Sequence, residues 1–330
     1  MSPLHPDHRP PRGITPDAPT PDAPTVDPVP LHDASTGDGP APGAGRDAPT
    51  GPAAAPAVAD LRPGLRLGGR FELVGLLGRG GMGSVWRARD LSVEGQREVA
   101  LKLVAGASSP GDEGRLARFQ REGEVTAALR HPGIVRVHAA GELDGLPFLA
   151  YELVEGGRTL EHLLGPDTPL VARVTLLRDV ARALGHAHAR GLVHRDVKAA
   201  NVLVDAAGLP RLADFGLAAA AGLERLTQTG AIVGTPTHMA PEQIGARAEQ
   251  IGPRTDVWAL GVLVYQALTG SLPFTGTTFA ALGVAIATAS YRAPRALAPD
   301  APEALERVVR GALAPDPADR YPHADAVADD

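Results

Sequence analysis

From Phe71 onward the chain alternates between apolar and polar positions. FELVGLLG, GSVWRARD and REVALKLV are short runs with apolar residues at or near every second position, separated by glycine and polar turns. A two-residue period belongs to a strand with one buried face, so three strands are expected here. GRLARFQREGEVTAALR (114–130) changes to helical spacing, and IVRVHAAGEL and LPFLAYELV then return to strands. Beyond Gly156 helical spacing dominates, in VARVTLLRDVARALGHAHARG, PRTDVWALGVLVYQALTG and PEALERVVRGALAP. Strands with one helix, then mostly helices, predict an α+β chain of two lobes, 71–155 and 156–330, with residues 61–70 as a lead-in. Residues 1–60 hold nearly half of the 32 prolines and a tandem PDAPT, echoed by DAPT at 47–50. Such a stretch buries too little apolar surface to offset its ordering entropy, so a disordered tail is expected, with Thr15, Thr20 and Ser35 as exposed hydroxyls.

Composition narrows the function classes. A net charge of −6 over 330 residues gives no basic field, so neither nucleic acid nor anionic lipid is an expected partner. There are no cysteines, which excludes disulfides, zinc–thiolate sites and thiol catalysis. The longest apolar runs, such as VWALGVLVYQAL (257–268), are about a dozen residues and suit buried helices better than a bilayer span. The N-terminus lacks the basic start and apolar run of a signal peptide, so a cytoplasmic location is expected.

Rare residues point to the chemistry. The chain has two lysines and one asparagine against thirty arginines, and Lys198 and Asn201 both fall in HRDVKAAN (194–201). The other lysine is Lys102, in VALK on an expected strand, nineteen residues after Gly83. Gly78, Gly80 and Gly83 of GRGGMGSV fit G-x-G-x-x-G. Strand on both flanks puts them in a hairpin rather than at a helix start, where backbone N–H groups can approach phosphates without a Cβ in the way. Lys102 offers a compact charge to phosphate oxygens. In an apolar lobe it needs an anionic partner, for which Glu122 is the first candidate and Glu124 the fallback. Asp196, Asn201 and Asp214 supply oxygen donors, which is what magnesium prefers, and Lys198 can damp the charge of a transferring phosphoryl group.

GRGGMGSV, VALK, HRDVKAAN, DFG, GTPTHMAPE and TDVWALG, in this order, resemble a eukaryotic-type (Hanks-type) serine/threonine protein kinase of the bacterial branch. The resemblance runs from about residue 71 to the C-terminus. It implies a bilobal fold, with an antiparallel sheet and one main helix in the N-lobe and a mostly helical C-lobe. The implied activity is transfer of the ATP γ-phosphate to Ser/Thr hydroxyls of proteins, with Mg²⁺ as cofactor and Mn²⁺ as its alternative.

Carried onto this sequence, the resemblance makes Asp196 the base and Lys198 the γ-phosphate contact. Asn201 and Asp214 become the metal ligands, and Lys102, paired with Glu122, holds the α- and β-phosphates. The glycine-rich segment Leu77, Gly78, Arg79, Gly80, Gly81, Met82, Gly83 and Ser84 would cover the nucleotide. Val85 and Ala100 would line the adenine pocket, with Tyr151 at its back and Glu152, Leu153 and Val154 as the hinge. His194 becomes structural, Glu242 pairs with Arg320, Asp256 holds the catalytic-loop backbone, and Thr235 belongs to the GTP of the activation segment (214–242).

The resemblance also implies switching. A phosphate on Thr227 or Thr229 would pair with Arg195, and autophosphorylation there is the expectation. Ala219 departs from the family where a basic residue often helps to hold that phosphate, and Arg225 is the available substitute. Ala199 stands where relatives often have Pro, and Leu101 where Ile is commoner. His186, His188 and His194 read as helix and catalytic-loop residues rather than metal ligands. Two rivals are a pseudokinase scaffold, which would lack one of Lys102, Asp196, Asn201 and Asp214, and a small-molecule phosphotransferase, which would lack GTPTHMAPE. A transient kinase dimer is compatible with the resemblance. The sequence stops where the family's last helix usually continues. This leaves a short kinase or a piece of a longer chain, and in the second case a membrane anchor downstream.

Overall fold

The computed structural model describes residues 60–80, 83–104, 123, 125–215 and 236–330. Six strands form one antiparallel sheet: β1 (Arg66–Leu67), β2 (Phe71–Gly80), β3 (Gly83–Asp90), β4 (Arg97–Val104), β5 (Val137–Leu143) and β6 (Leu146–Glu152). Their order in space is β1-β2-β3-β4-β6-β5. The alternation read from the sequence is what the burial shows in β4: Val99, Leu101 and Leu103 are buried, and Ala100 and Lys102 lie on the other face. Register shifts in β2 near Gly75 and Gly78 break the pairing with β3 just before the glycine-rich turn. The lead-in residues join this lobe. Leu61 and Leu67 are buried with Phe71, Trp86 and Phe148, and β1 pairs with β2. Of the helix expected at 114–130, residues 123 and 125–127 are described and are helical.

The second lobe is built on two helices. Helix α1 (Leu170–His188) packs against α3 (Pro253–Thr269). Helix α3 is apolar nearly all round, with Val257, Trp258, Leu260, Val262 and Leu263 at most 1% exposed, as expected of a helix in the middle of a core. Proline at its first position and Gly270 in the left-handed conformation after its end set its limits. Around it lie α2 (Pro241–Ile244), α4 (Phe279–Ala287), α5 (Pro294–Leu297), α6 (Glu303–Ala312) and α7 (Ala324–Asp329). A small sheet joins β7 (Arg158–Thr159), which precedes α1, to β8 (Val202–Val204) and β9 (Pro210–Leu212), which both follow HRDVKAAN (194–201). Among the described residues no helix is long and apolar enough to cross a membrane.

The lobes meet along the residues before β5. Ile134 bridges Leu212, with Val135 N donating to Leu212 O at 2.9 Å and Leu212 N donating to Gly133 O at 2.8 Å. A small apolar cluster of Val135, Val137, Leu149 and Tyr151 is flanked by Ala100 from β4 and by Leu203 and Ala213 from the second lobe. It packs residues of the first sheet against residues of the second lobe.

Candidate active site

Strand register assembles one wall of the site. Val85 lies opposite Lys102, and Ala100 opposite Tyr151. Residues paired across antiparallel strands share a face, as do positions i and i+2, so Val85, Ala100, Lys102 and Tyr151 all project from the same side of the sheet. The glycine-rich segment closes the β2–β3 hairpin above them, with Gly80 opposite Gly83. Leu77, Arg79 and Gly80 are exposed and Gly78 is half-buried. Ser84 differs from its neighbours. Its side chain is turned into the lobe core, where Trp86 Nε1 donates to its Oγ at 2.9 Å, so only its backbone is left to the cleft. At the end of β6, Glu152 N donates to Arg136 O, and the Glu152 carboxylate pairs with Arg211 at 3.0 Å; Leu153 and Val154, where the hinge is expected, are half-buried.

The opposite wall is the loop 194–201. Asp256, buried at the start of α3, accepts from His194 N and Arg195 N at 2.8 Å each, and its Oδ2 lies 2.8 Å from His188 Nε2. Gln243 Nε2 donates to Arg195 O at 2.8 Å. These bonds hold Arg195 at φ 67°, a left-handed conformation that non-glycine residues adopt only when their surroundings enforce it. The Arg195 side chain is exposed. His194 is fully buried; its Nε2 lies 2.9 Å from Ala213 O, and its Nδ1 accepts from Asp196 N at 3.2 Å.

Within the loop three head groups converge. Asp196 Oδ2 accepts from Lys198 Nζ at 2.7 Å and from Asn201 Nδ2 at 2.9 Å. Asn201 Nδ2 also donates to Asp196 O at 2.8 Å. The Asn201 backbone then reaches the next motif, accepting from Ala213 N at 2.9 Å. Ala213 is thereby held by both Asn201 and His194, which places Asp214 beside the loop.

Asp214 is also left-handed, at φ 63°. Its Oδ1 lies 2.9 Å from Lys102 Nζ and accepts from Tyr151 OH at 3.1 Å. Burial works against its ionisation, but the charge of Lys102 and the hydrogen bonds from Lys102 and Tyr151 outweigh it, and its pKa is held below the usual carboxylate value. Phe215 is buried against the His194 ring, 4.6 Å between centroids.

Asp214 and Asn201 form a donor set suited to a divalent cation. The recorded bonds of the Asn201 side chain all leave from Nδ2, and those of Asp214 all end on Oδ1. The amide oxygen of Asn201 and Oδ2 of Asp214 carry none among the described residues. Both are hard oxygen ligands.

Beneath the site, Arg320 and Glu242 form a buried pair at 2.9 and 3.0 Å, and Glu242 also accepts from Thr255 Oγ1. The structure therefore gathers Lys102, Tyr151, Asp196, Lys198, Asn201 and Asp214 around one cleft, with Asp256, Glu242 and Arg320 below. Gly81, Met82, Glu122, Glu124, Thr227, Thr229 and Thr235 lie outside the described residues, as do Ala219 and Arg225. Lys102 is accordingly seen with Asp214, and the expected pairing with Glu122 falls on an undescribed residue. Sequence reasoning passed over Gln243, whose signal was its place beside Glu242 in APEQ, and His188, taken only as a helix residue.

Comparison with known proteins agrees with this geometry. A family model described as the protein kinase domain matches residues 71–330. The chain is 42% identical over 266 residues to serine/threonine-protein kinase PknL of Mycobacterium bovis, covering 79% of this chain and 64% of that protein. It is 41% identical over 273 residues to the DNA damage-responsive serine/threonine-protein kinase RqkA of Deinococcus radiodurans, covering 81% of this chain and 39% of RqkA. The crystal structure of the PknI kinase domain of Mycobacterium tuberculosis superposes with a TM-score of 0.64 at 31% identity, covering 82% of this chain and 97% of that one. The chain thus spans somewhat under two thirds of its PknL relative. From Phe71 to Asp330 it belongs to the protein kinase domain family.

Proposed function

We propose that the chain is a serine/threonine protein kinase that transfers the γ-phosphoryl group of ATP to hydroxyl groups of proteins, with Mg²⁺ as the metal. The observation that carries this reading is the cleft itself. An Asp196–Lys198–Asn201 cluster on one wall meets a Lys102–Asp214 pair at the other, and every head group is one that phosphoryl transfer requires. The acceptor hydroxyl oxygen attacks the γ-phosphorus, the bond to the bridging β–γ oxygen breaks, and ADP leaves. The hydroxyl proton passes to Asp196, whose Oδ2 is already occupied by Lys198 and Asn201, so Oδ1 is the receiving atom. Lys198 balances charge on the moving phosphoryl group, and Lys102 holds the α- and β-phosphates and pairs with Glu122. Asp214 and Asn201 hold the metal, which when bound neutralises charge on the phosphate oxygens.

Val85, Ala100 and Tyr151 line the adenine site, and residues 152–154 are the hinge. Lys198 favours a Ser/Thr acceptor, in line with relatives named as serine/threonine kinases. Thr227 and Thr229 are the proposed autophosphorylation sites, with exposed Arg195 as the phosphate's partner.

The test is incubation with labelled ATP and Mg²⁺, followed by mapping of modified Ser and Thr in the chain and in a protein acceptor. Asp196→Ala is expected to lower incorporation by roughly 10²–10⁴-fold, and Lys102→Met by a similar factor. Label retained by both variants at the wild-type rate would end this reading.

A further inference from the structure

We propose that Tyr151 is a positioning residue for Asp214: its hydroxyl, donated to Oδ1, sets the carboxylate so that Oδ2 is presented to the metal. The inference rests on the reading above that Asp214 is a metal ligand, and adds a residue from a different element to that site.

Three observations carry it. First, the contact is built by strand register. Tyr151 pairs with Ala100, two residues from Lys102 on the same face, so the phenol and the ammonium reach the same point from neighbouring strands. They converge on one atom, Oδ1, at 3.1 and 2.9 Å. Two donors on one oxygen fix the rotation of the carboxylate and leave the other oxygen as the one with no recorded donor among the described residues.

Second, the hydroxyl has a specific reason to be there. Tyr151 is 6% exposed and packed with Val135, Val137 and Leu149, surroundings in which Phe would serve equally well for packing. A buried phenol carries a desolvation cost that is offset only where its O–H finds a partner, and among the described residues that partner is Asp214.

Third, Asp214 needs an external hold. Its φ of 63° is a conformation that a non-glycine residue leaves unless neighbours oppose it. The backbone before it is tied through Ala213, while its side chain is tied by Lys102 and Tyr151. Lys102 is also the proposed phosphate contact. When it turns towards nucleotide, Tyr151 is the donor that stays with Asp214.

The test uses Tyr151→Phe, which keeps the ring and removes the hydroxyl, and Tyr151→Met, which keeps bulk without either. Binding of a non-hydrolysable ATP analogue is measured by calorimetry with excess Mg²⁺ and with EDTA. The ratio of the two affinities is the gain from metal. For both variants this gain is expected to fall about ten-fold, the loss of one hydrogen bond to a charged group; because it is a ratio, any change the substitution makes to the adenine site itself cancels from it. Asp214→Asn is the reference and is expected to lose the gain altogether. A full wild-type gain in Tyr151→Phe, with the gain lost in Asp214→Asn, overturns the positioning role and leaves the metal assignment standing. A full gain in Asp214→Asn overturns the metal assignment and the Tyr151 proposal together.

Discussion

His238 stands in GTPTHMAPE, close enough to the catalytic loop for Asp196 and Lys198 both to act on its charge. Its Nδ1 lies 3.1 Å from Thr237 Oγ1, and its buried Nε2 has no hydrogen-bond partner among the described residues. Burial drives its pKa down to about 4, with Asp196 raising it and Lys198 lowering it by smaller amounts. An unfolded histidine titrates near 6.5. Between pH 6.5 and 4 the unfolded chain therefore binds a proton that the folded chain refuses. The stability tied to neutral His238 is complete above pH 6.5 and is lost as the pH falls towards 4, by roughly 2 kcal/mol at pH 5. Urea unfolding at pH 7 and pH 5 is expected to show a smaller drop for His238→Gln than for the wild type. Equal drops would remove His238 as a source of acid sensitivity. None of this was legible beforehand, because a histidine's burial depends on what the fold stacks around it. Lys102, Lys198 and Asn201, by contrast, announced themselves as rarities in an arginine-rich chain.

At the scale of elements, legibility followed the length of the pattern. Strands β2, β3 and β4 have eight or more residues and showed their two-residue period. The β7–β9 sheet has strands of two or three residues, too short to display any period, and it emerged only in the structure. FAALGVAIA, now α4, carries no polar face to mark a helical stripe. The expected strand at IVRVHAAGEL begins only at Val137, because Ile134 and Val135 are drawn to Leu212 of the other lobe. The glycine-rich hairpin shows what a single element demands. Gly83 has φ 135°, and a Cβ there would lie 1.9 Å from Leu103 O in the backbone of β4. Gly83→Ala must therefore push β3 and β4 apart as well as strain its own backbone, at an expected cost of about 1–3 kcal/mol. Since Lys102 lies on the displaced strand, nucleotide affinity should fall in the same variant. An unchanged denaturation midpoint together with unchanged ATP-analogue binding would show that the strands give way freely.

Across the whole molecule, the second lobe depends on a charge pair that joins residues 78 positions apart. The Arg320 and Glu242 side chains are 0% and 1% exposed. Arg320 also donates to the carbonyls of Arg254, Ala314 and Pro315 and lies 4.9 Å from the Trp258 ring, so one guanidinium ties together the start of α3, the chain after α6 and, through Glu242, α2. A buried pair contributes little compared with an apolar replacement of the same shape, yet removing one partner strands the other charge. Glu242→Ala is therefore expected to cost about 3–5 kcal/mol in urea unfolding. Arg320→Met should cost no less, because three carbonyls lose their donor along with Glu242. The double variant should lose clearly less than the sum of the two, as the second change no longer strands a charge. Gln243 adjoins Glu242 and holds Arg195 O, so loosening this pair also frees the backbone beside Asp196. Phosphoryl transfer by Glu242→Ala should then fall even at temperatures where the chain is still folded. Costs that simply add would mean that each side chain acts through its own neighbours and that the lobe is not braced by the pair.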